Sequence, residues 1–82
     1  MAKWKFAKAI EENEEFKING VNVWNHYWHC VDQKVEVVEP QKGNTYYFRE
    51  YEIQADDKKI NFVAGEFINS KIGIYLKDEE LF

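Results

Sequence analysis

The densest group of side chains able to do chemistry is His26, His29, Cys30 and Asp32, set in an aromatic stretch that begins at Trp24. Neutral imidazole and thiolate are ligands that zinc prefers, so His26, His29 and Cys30 are the candidate metal ligands. A structural zinc site takes four ligands, usually as two separated pairs, and the chain has no other His or Cys. Local conformation decides the rest. On a strand His26 and His29 point to opposite faces, whereas on a helix their i, i+3 spacing brings them together. Cys30 could become a nucleophile if an imidazole took its proton, but adjacent strand residues point apart, which separates it from His29. The residues therefore point to no metal, no cofactor and an unreactive, buried Cys30.

Carboxylates are abundant, and abundance is what weakens a catalytic reading. Glu50 and Glu52 stand two apart beside Tyr46 and Phe48, where a solvated strand face explains them. Glu11, Glu12, Glu14 and Glu15 form an acidic run suited to an exposed turn or helix end. Gly20, Gly43, Gly65 and Gly73 are scattered and match neither a phosphate-cradling loop nor a dinucleotide fingerprint. No catalytic residue is assigned, and the chain is expected not to be an enzyme.

The aromatic surplus is the one compositional feature that invites a binding function. Fourteen of the 82 residues are Phe, Trp or Tyr, while a core of this size absorbs roughly eight to ten. Trp24, Tyr27 and Trp28, with Tyr46, Tyr47 and the neighbouring Arg49, are the candidate exposed face. Exposed Trp and Tyr combine large apolar area with a polar handle, which suits an interface. The competing explanation is that rings fill a core served by only two leucines, Leu76 and Leu81.

Charge narrows the partners. Eleven basic against 15 acidic residues give a net charge of −4, and Arg49 is the sole arginine. Phosphate-backbone affinity grows with the number of charges neutralised, so nucleic acid is disfavoured as a partner. An acidic surface could instead engage a protein, even one whose own groove binds nucleic acid. Two functions from different classes follow. One is a small acidic protein-interaction module that uses an aromatic sheet face, with a second copy as one partner. The other is an aromatic-lined binder of a small molecule or single-stranded nucleic acid.

A single cysteine permits no intramolecular disulfide, which places the expected chain in a reducing, cytoplasmic setting. No segment resembles a signal peptide or approaches the roughly 20 apolar residues of a membrane span. Abundant Lys, Asn, Ile, Tyr and Glu suit an AT-rich genome, so a bacterial or phage source is expected.

These side chains must be positioned by short strands. Phe16-Lys17-Ile18, Asn19-Gly20 and Val21-Asn22-Val23 predict a type I′ β-hairpin with Ile18 facing Val21 and Phe16 facing Val23. Residues 34–39, 45–54, 59–64 and 71–76 alternate as strands, with turns at Gln41-Lys42-Gly43-Asn44 and Ala55-Asp56-Asp57-Lys58. In the 45–54 strand, Tyr51 and Ile53 mark the expected core face. Residues 3–10 read as a strand with Trp4, Phe6 and Ile10 together, because lysines first and glutamates last oppose a helix dipole. Residues 24–31 are expected to continue the hairpin as a strand, although Trp24, Tyr27, Trp28 and Val31 also fit helical spacing. The whole, residues 1–82, is expected to be one mainly β domain, a small antiparallel sheet folded as a barrel or sandwich. An α+β roll with one helix at 2–16 or 24–31 is the alternative, and 77–82 is expected to fray as an acidic tail.

Overall fold

A computed structural model of the chain describes residues 4–67 and 71–77. The chain is mainly β. Its strands are β1 (Trp4–Ile10), β2 (Lys17–Ile18), β3 (Val21–Asn22), β4 (His29–Val38), β5 (Thr45–Ala55), β6 (Lys58–Glu66) and β7 (Ile72–Lys77). A 3₁₀ turn, Val23–Asn25, follows β3. Five strands form one antiparallel sheet in the order β1-β7-β6-β5-β4, and β2-β3 form a separate ribbon. The small antiparallel sheet expected as a barrel or sandwich is present, and because β1 and β4 end it without pairing to each other it is not a closed barrel. The strand expected at 3–10 is observed as β1, Trp4–Ile10. The stretch 24–31, expected to continue the hairpin as a strand, is instead interrupted by the 3₁₀ turn and resumes as a strand only at His29. The alternative single helix at 2–16 or 24–31 does not form among the described residues. Apart from Lys77, which ends β7, the acidic tail lies outside the described residues.

The β2-β3 ribbon forms as its sequence dictates. Ile18 opposes Val21, Asn19 and Gly20 take φ values of 51° and 81°, and the Val23 amide donates to the Phe16 carbonyl at 3.0 Å. Glycine meets no steric cost at that positive φ. With both strands in this register, Ile18 and Val23 are buried and Phe16 and Val21 pack beside them.

Both faces of the large sheet carry apolar clusters. On the face under the ribbon lie Ile10, Ile53, Ile60, Phe62, Ile74 and Leu76, all buried. On the other lie Trp4, Val35, Val37, Phe48, Val63, Phe67 and Tyr75. Strands that are buried on alternating sides at different points along their length explain why β5 reads ambiguously. Ile53 and Ala55 enter the first cluster, while Phe48 and half-buried Tyr46 enter the second. The face ending in Tyr51 and Ile53 is thus a core face only over the second half of β5.

A bulge does the same for β1. Phe6 opposes Tyr75 and Lys8 opposes Ile74, leaving Ala7 as the extra residue. One inserted residue reverses the side-chain parity, so Trp4 joins the second cluster and Ile10 the first. The sequence expectation that Trp4, Phe6 and Ile10 share a face fails for that reason.

The sheet is curled. In a flat sheet β4 and β7, three places apart, would be separated by roughly 14 Å. Here the Tyr75 hydroxyl donates to the Val38 carbonyl at 2.7 Å. Among the described residues no helix is long and apolar enough to cross a membrane.

Candidate functional site

The candidate aromatic residues do not form one face. Trp24 and Trp28 stack with ring centroids 4.8 Å apart, and Trp28 meets Phe62 edge-on at 4.9 Å and Tyr51 at 5.2 Å. Asn22 caps the 3₁₀ turn by accepting from the Trp24 amide at 3.2 Å, and the Trp28 indole donates to the Val23 carbonyl at 2.7 Å. Both tryptophans are half-buried and help to roof the first cluster. Tyr46 turns inward on the other side, 5.5 Å from Phe48 and 5.2 Å from Phe67. Strand alternation is the cause: neighbours on β5 must diverge, which sends Tyr47 and Arg49 to the outer face.

Rings are mostly consumed by packing. Among the described aromatics only Tyr27, 81% exposed, and Tyr47, 58% exposed, stand in solvent. The explanation from core filling therefore accounts for Trp24, Trp28 and Tyr46, and leaves Tyr27, Tyr47 and Arg49 for a binding surface.

That surface is the outer side of β4 and β5. Glu36 opposes Tyr47 across the ladder, and the Lys34 ammonium lies 4.9 Å from the centre of the Tyr47 ring. Exposed Arg49 follows Tyr47 on the same side and makes no ion pair among the described residues. Val38, 48% exposed, opposes Thr45 on the same side, and Val31, 46% exposed, belongs to β4. Tyr27 precedes β4 with its ring 6.5 Å from His29, which opposes Glu52 and so lies on the other face. Sequence reading missed Lys34, Val31 and Val38 as members. The alternation of Val35 and Val37 could have pointed Val38 outward, but Val31 is exposed at a register shift between Cys30 and Asp32, which no local pattern announces. Beside this surface, where β5 parts from β6, a hollow of about 410 Å³ is lined by Gln33, Tyr47, Arg49, Tyr51 and Glu66 among others.

The candidate metal ligands are dispersed. His26 lies in the loop before β4 and lines a cleft of about 480 Å³ with Lys17, Asn25, Asp56 and Lys58. His29 opposes Glu52 and Cys30 opposes Tyr51, so these two point to different faces. The Cys30 thiol is half-buried and faces the Asp32 carbonyl at 3.6 Å. Among the described residues no three His, Cys, Asp or Glu side chains converge as a metal site would require. The two lysines of the cleft are already engaged: Lys58 donates to the Asn19 carbonyl at 3.2 Å, and Lys17 pairs with Glu15 at 3.4 Å.

The acidic run 11–15 is likewise tied to lysines. Glu11 pairs with Lys71 at 2.9 Å and Glu14 with Lys8 at 3.4 Å, while the Glu11 amide donates to the Glu14 carboxylate at 2.9 Å. This last bond, with Lys8, holds the Glu14 carboxyl below its ordinary range, and Glu11 raises Lys71. These exposed pairs close a turn and contribute little to stability.

Among the described residues Tyr75 shows the largest perturbation of a titrating group. Burial, with Glu39 and Tyr46 nearby, pushes its phenol up to about 12 from 10.0. The folded state thus favours the protonated phenol. Its contribution to stability is complete below the unfolded value near 10 and is lost as the pH rises through about 12. Urea unfolding between about pH 9 and pH 12 is expected to show a steeper loss for the native chain than for Tyr75→Phe. Parallel slopes would refute the assignment.

Comparison of the chain with protein-family models, with curated proteins and with solved structures finds no match.

Proposed function

We propose that the chain is a small, non-enzymatic protein-interaction module that engages a protein partner through the outer surface of β4 and β5. One observation carries this reading: the exposed large apolar side chains among the described residues, Tyr27, Val31, Val38 and Tyr47, all lie on β4, beside it, or just before it. Tyr47 and Val38 share one side of the hairpin with charged Lys34, Glu36 and Arg49, the mixture found in a small interface. Arg49 and Tyr47 are residue types that dominate interface energies.

The mode is contact through side chains rather than strand addition. Both sheet edges depart from a regular ladder, β1 at Ala7 and β4 at two places between Cys30 and Val35. Such bulges deter edge-to-edge pairing of sheets. An aromatic-lined site for a nucleobase or small molecule would need several exposed rings on one face, and this strip offers Tyr47 alone on β5.

The test is affinity capture from nuclease-treated lysate on the immobilised native chain and on Tyr47→Ser. A protein held stoichiometrically by the native chain and weakened about tenfold by the substitution supports the module. The variant's stability is expected to stay within about 0.5 kcal/mol, because the side chain is exposed. Retention that Tyr47→Ser leaves unchanged, or that nuclease abolishes, overturns it.

A further inference from the structure

The β4-β5 hairpin is regular at both ends and interrupted in the middle. On β5 the ladder to β6 stops where Arg49 opposes Ala64, although β6 itself continues, pairing Gly65 with Gly73 and Glu66 with Ile72. Thr45 to Phe48 consequently pair with β4 only. At the same level β4 shifts register between Asp32 and Val35. Two interruptions facing each other make a joint, and the part beyond it, residues 35–48, is an arm.

The arm lies over the second apolar cluster. Val35, Val37, Tyr46 and Phe48 pack on Val63, Phe67 and Tyr75, and the Phe48 ring rests on Gly65. Its far end is tied down by the Tyr75 hydroxyl, which donates to the Val38 carbonyl at 2.7 Å. Beside that tie, a gap of about 340 Å³ lined by Phe6, Ala9, Pro40 and Phe67 separates β1 from the arm's turn.

We propose that residues 35–48 form a hinged strap, clasped by the Tyr75–Val38 hydrogen bond, which opens as a unit while β6, β7 and β1 stay paired. A segment joined by broken ladders and held mainly by side chains is the kind that opens sub-globally. The first cluster lies on the opposite face under the ribbon and stays intact during this motion. Opening bares the Gly65–Gly73 strip with Phe6, Phe67 and Tyr75, an apolar groove that the closed arm covers.

Native-state hydrogen exchange on the full chain tests this, with Tyr75→Phe as the probe, since it keeps the ring and removes only the hydroxyl. In the native chain the protected amides of 35–48 are expected to exchange at least about tenfold faster than those of 60–64 and 74–76. Tyr75→Phe is expected to speed the arm amides a further three- to tenfold or so and to leave the others within about twofold. Exchange of arm and sheet at one common rate overturns the strap. So does a substitution that shifts both sets together or leaves the arm unchanged.

Discussion

Replacing Phe62 with alanine is expected to remove about 3–5 kcal/mol, a quarter or more of the chain's stability at 25 °C. Phe62 is fully buried at the centre of the sheet, opposite Tyr51 on β5, with Trp28 edge-on at 4.9 Å and the Tyr51 ring at 5.9 Å. Truncating a buried Phe costs about 3–5 kcal/mol, the sum of lost transfer energy and the cavity left behind. A chain of 82 residues has roughly 4–12 kcal/mol in total at 0.05–0.15 kcal/mol per residue. Collapse into the cavity is hindered because the Trp28 indole is fixed to the Val23 carbonyl. Urea titration followed by circular dichroism checks it. Phe16→Ala, at a half-buried position on the rim of the same cluster, is the comparison and is expected to cost less. Equal losses at the two positions would mean that the first cluster is not centred on Phe62.

Much of this architecture is legible in the residues. The Asn19-Gly20 hairpin depends on a local dipeptide, and β5, β6 and β7 alternate strongly enough to declare themselves. The Asp56-Asp57 turn is also local, with Asp56 at φ 57° and Gln54 donating to the Asp56 and Lys58 carbonyls at 3.0 and 3.1 Å. What escapes is anything that depends on another strand. The extra residue at Ala7 shows only against Tyr75 and Ile74, and it moves Ile10 to the opposite cluster. The division of β5 between two clusters follows from where β6 stops, not from the sequence of β5. The aromatic stretch at 24–31 satisfies both helical and strand periods, and the structure divides it between the 3₁₀ turn, to which the Trp28 indole is tied at Val23, and the start of β4 at His29. Of the candidate site, alternation puts Tyr47 and Arg49 on the face of Tyr51 and Ile53 expected to be core, so their exposure, like the inward turn of Tyr46, depends on where the second cluster lies.

Gly65→Ala tests that second cluster from the backbone side. An added methyl at an ordinary strand position would be favourable by roughly 0.5–1 kcal/mol, because glycine loses the most conformational freedom on folding. Here the sign is expected to reverse. A Cβ at Gly65 would fall within the Phe48 ring, which cannot swing clear: Tyr46 and Phe67 each lie 5.5 Å from it and Tyr75 lies 6.1 Å away. Gly73, directly opposite, carries the Phe67 ring in the same way, so the two strands offer a bare strip covered by two aromatic side chains. Overpacking of this kind costs about 1–3 kcal/mol. The informative measurement is a double-mutant cycle in urea with Phe48→Leu. If the ring over the glycine is the cause, the double variant is destabilised by less than the sum of the single ones, with a coupling above about 0.5 kcal/mol. Strict additivity would place the cost of Gly65→Ala in the backbone and remove the platform on which the arm rests.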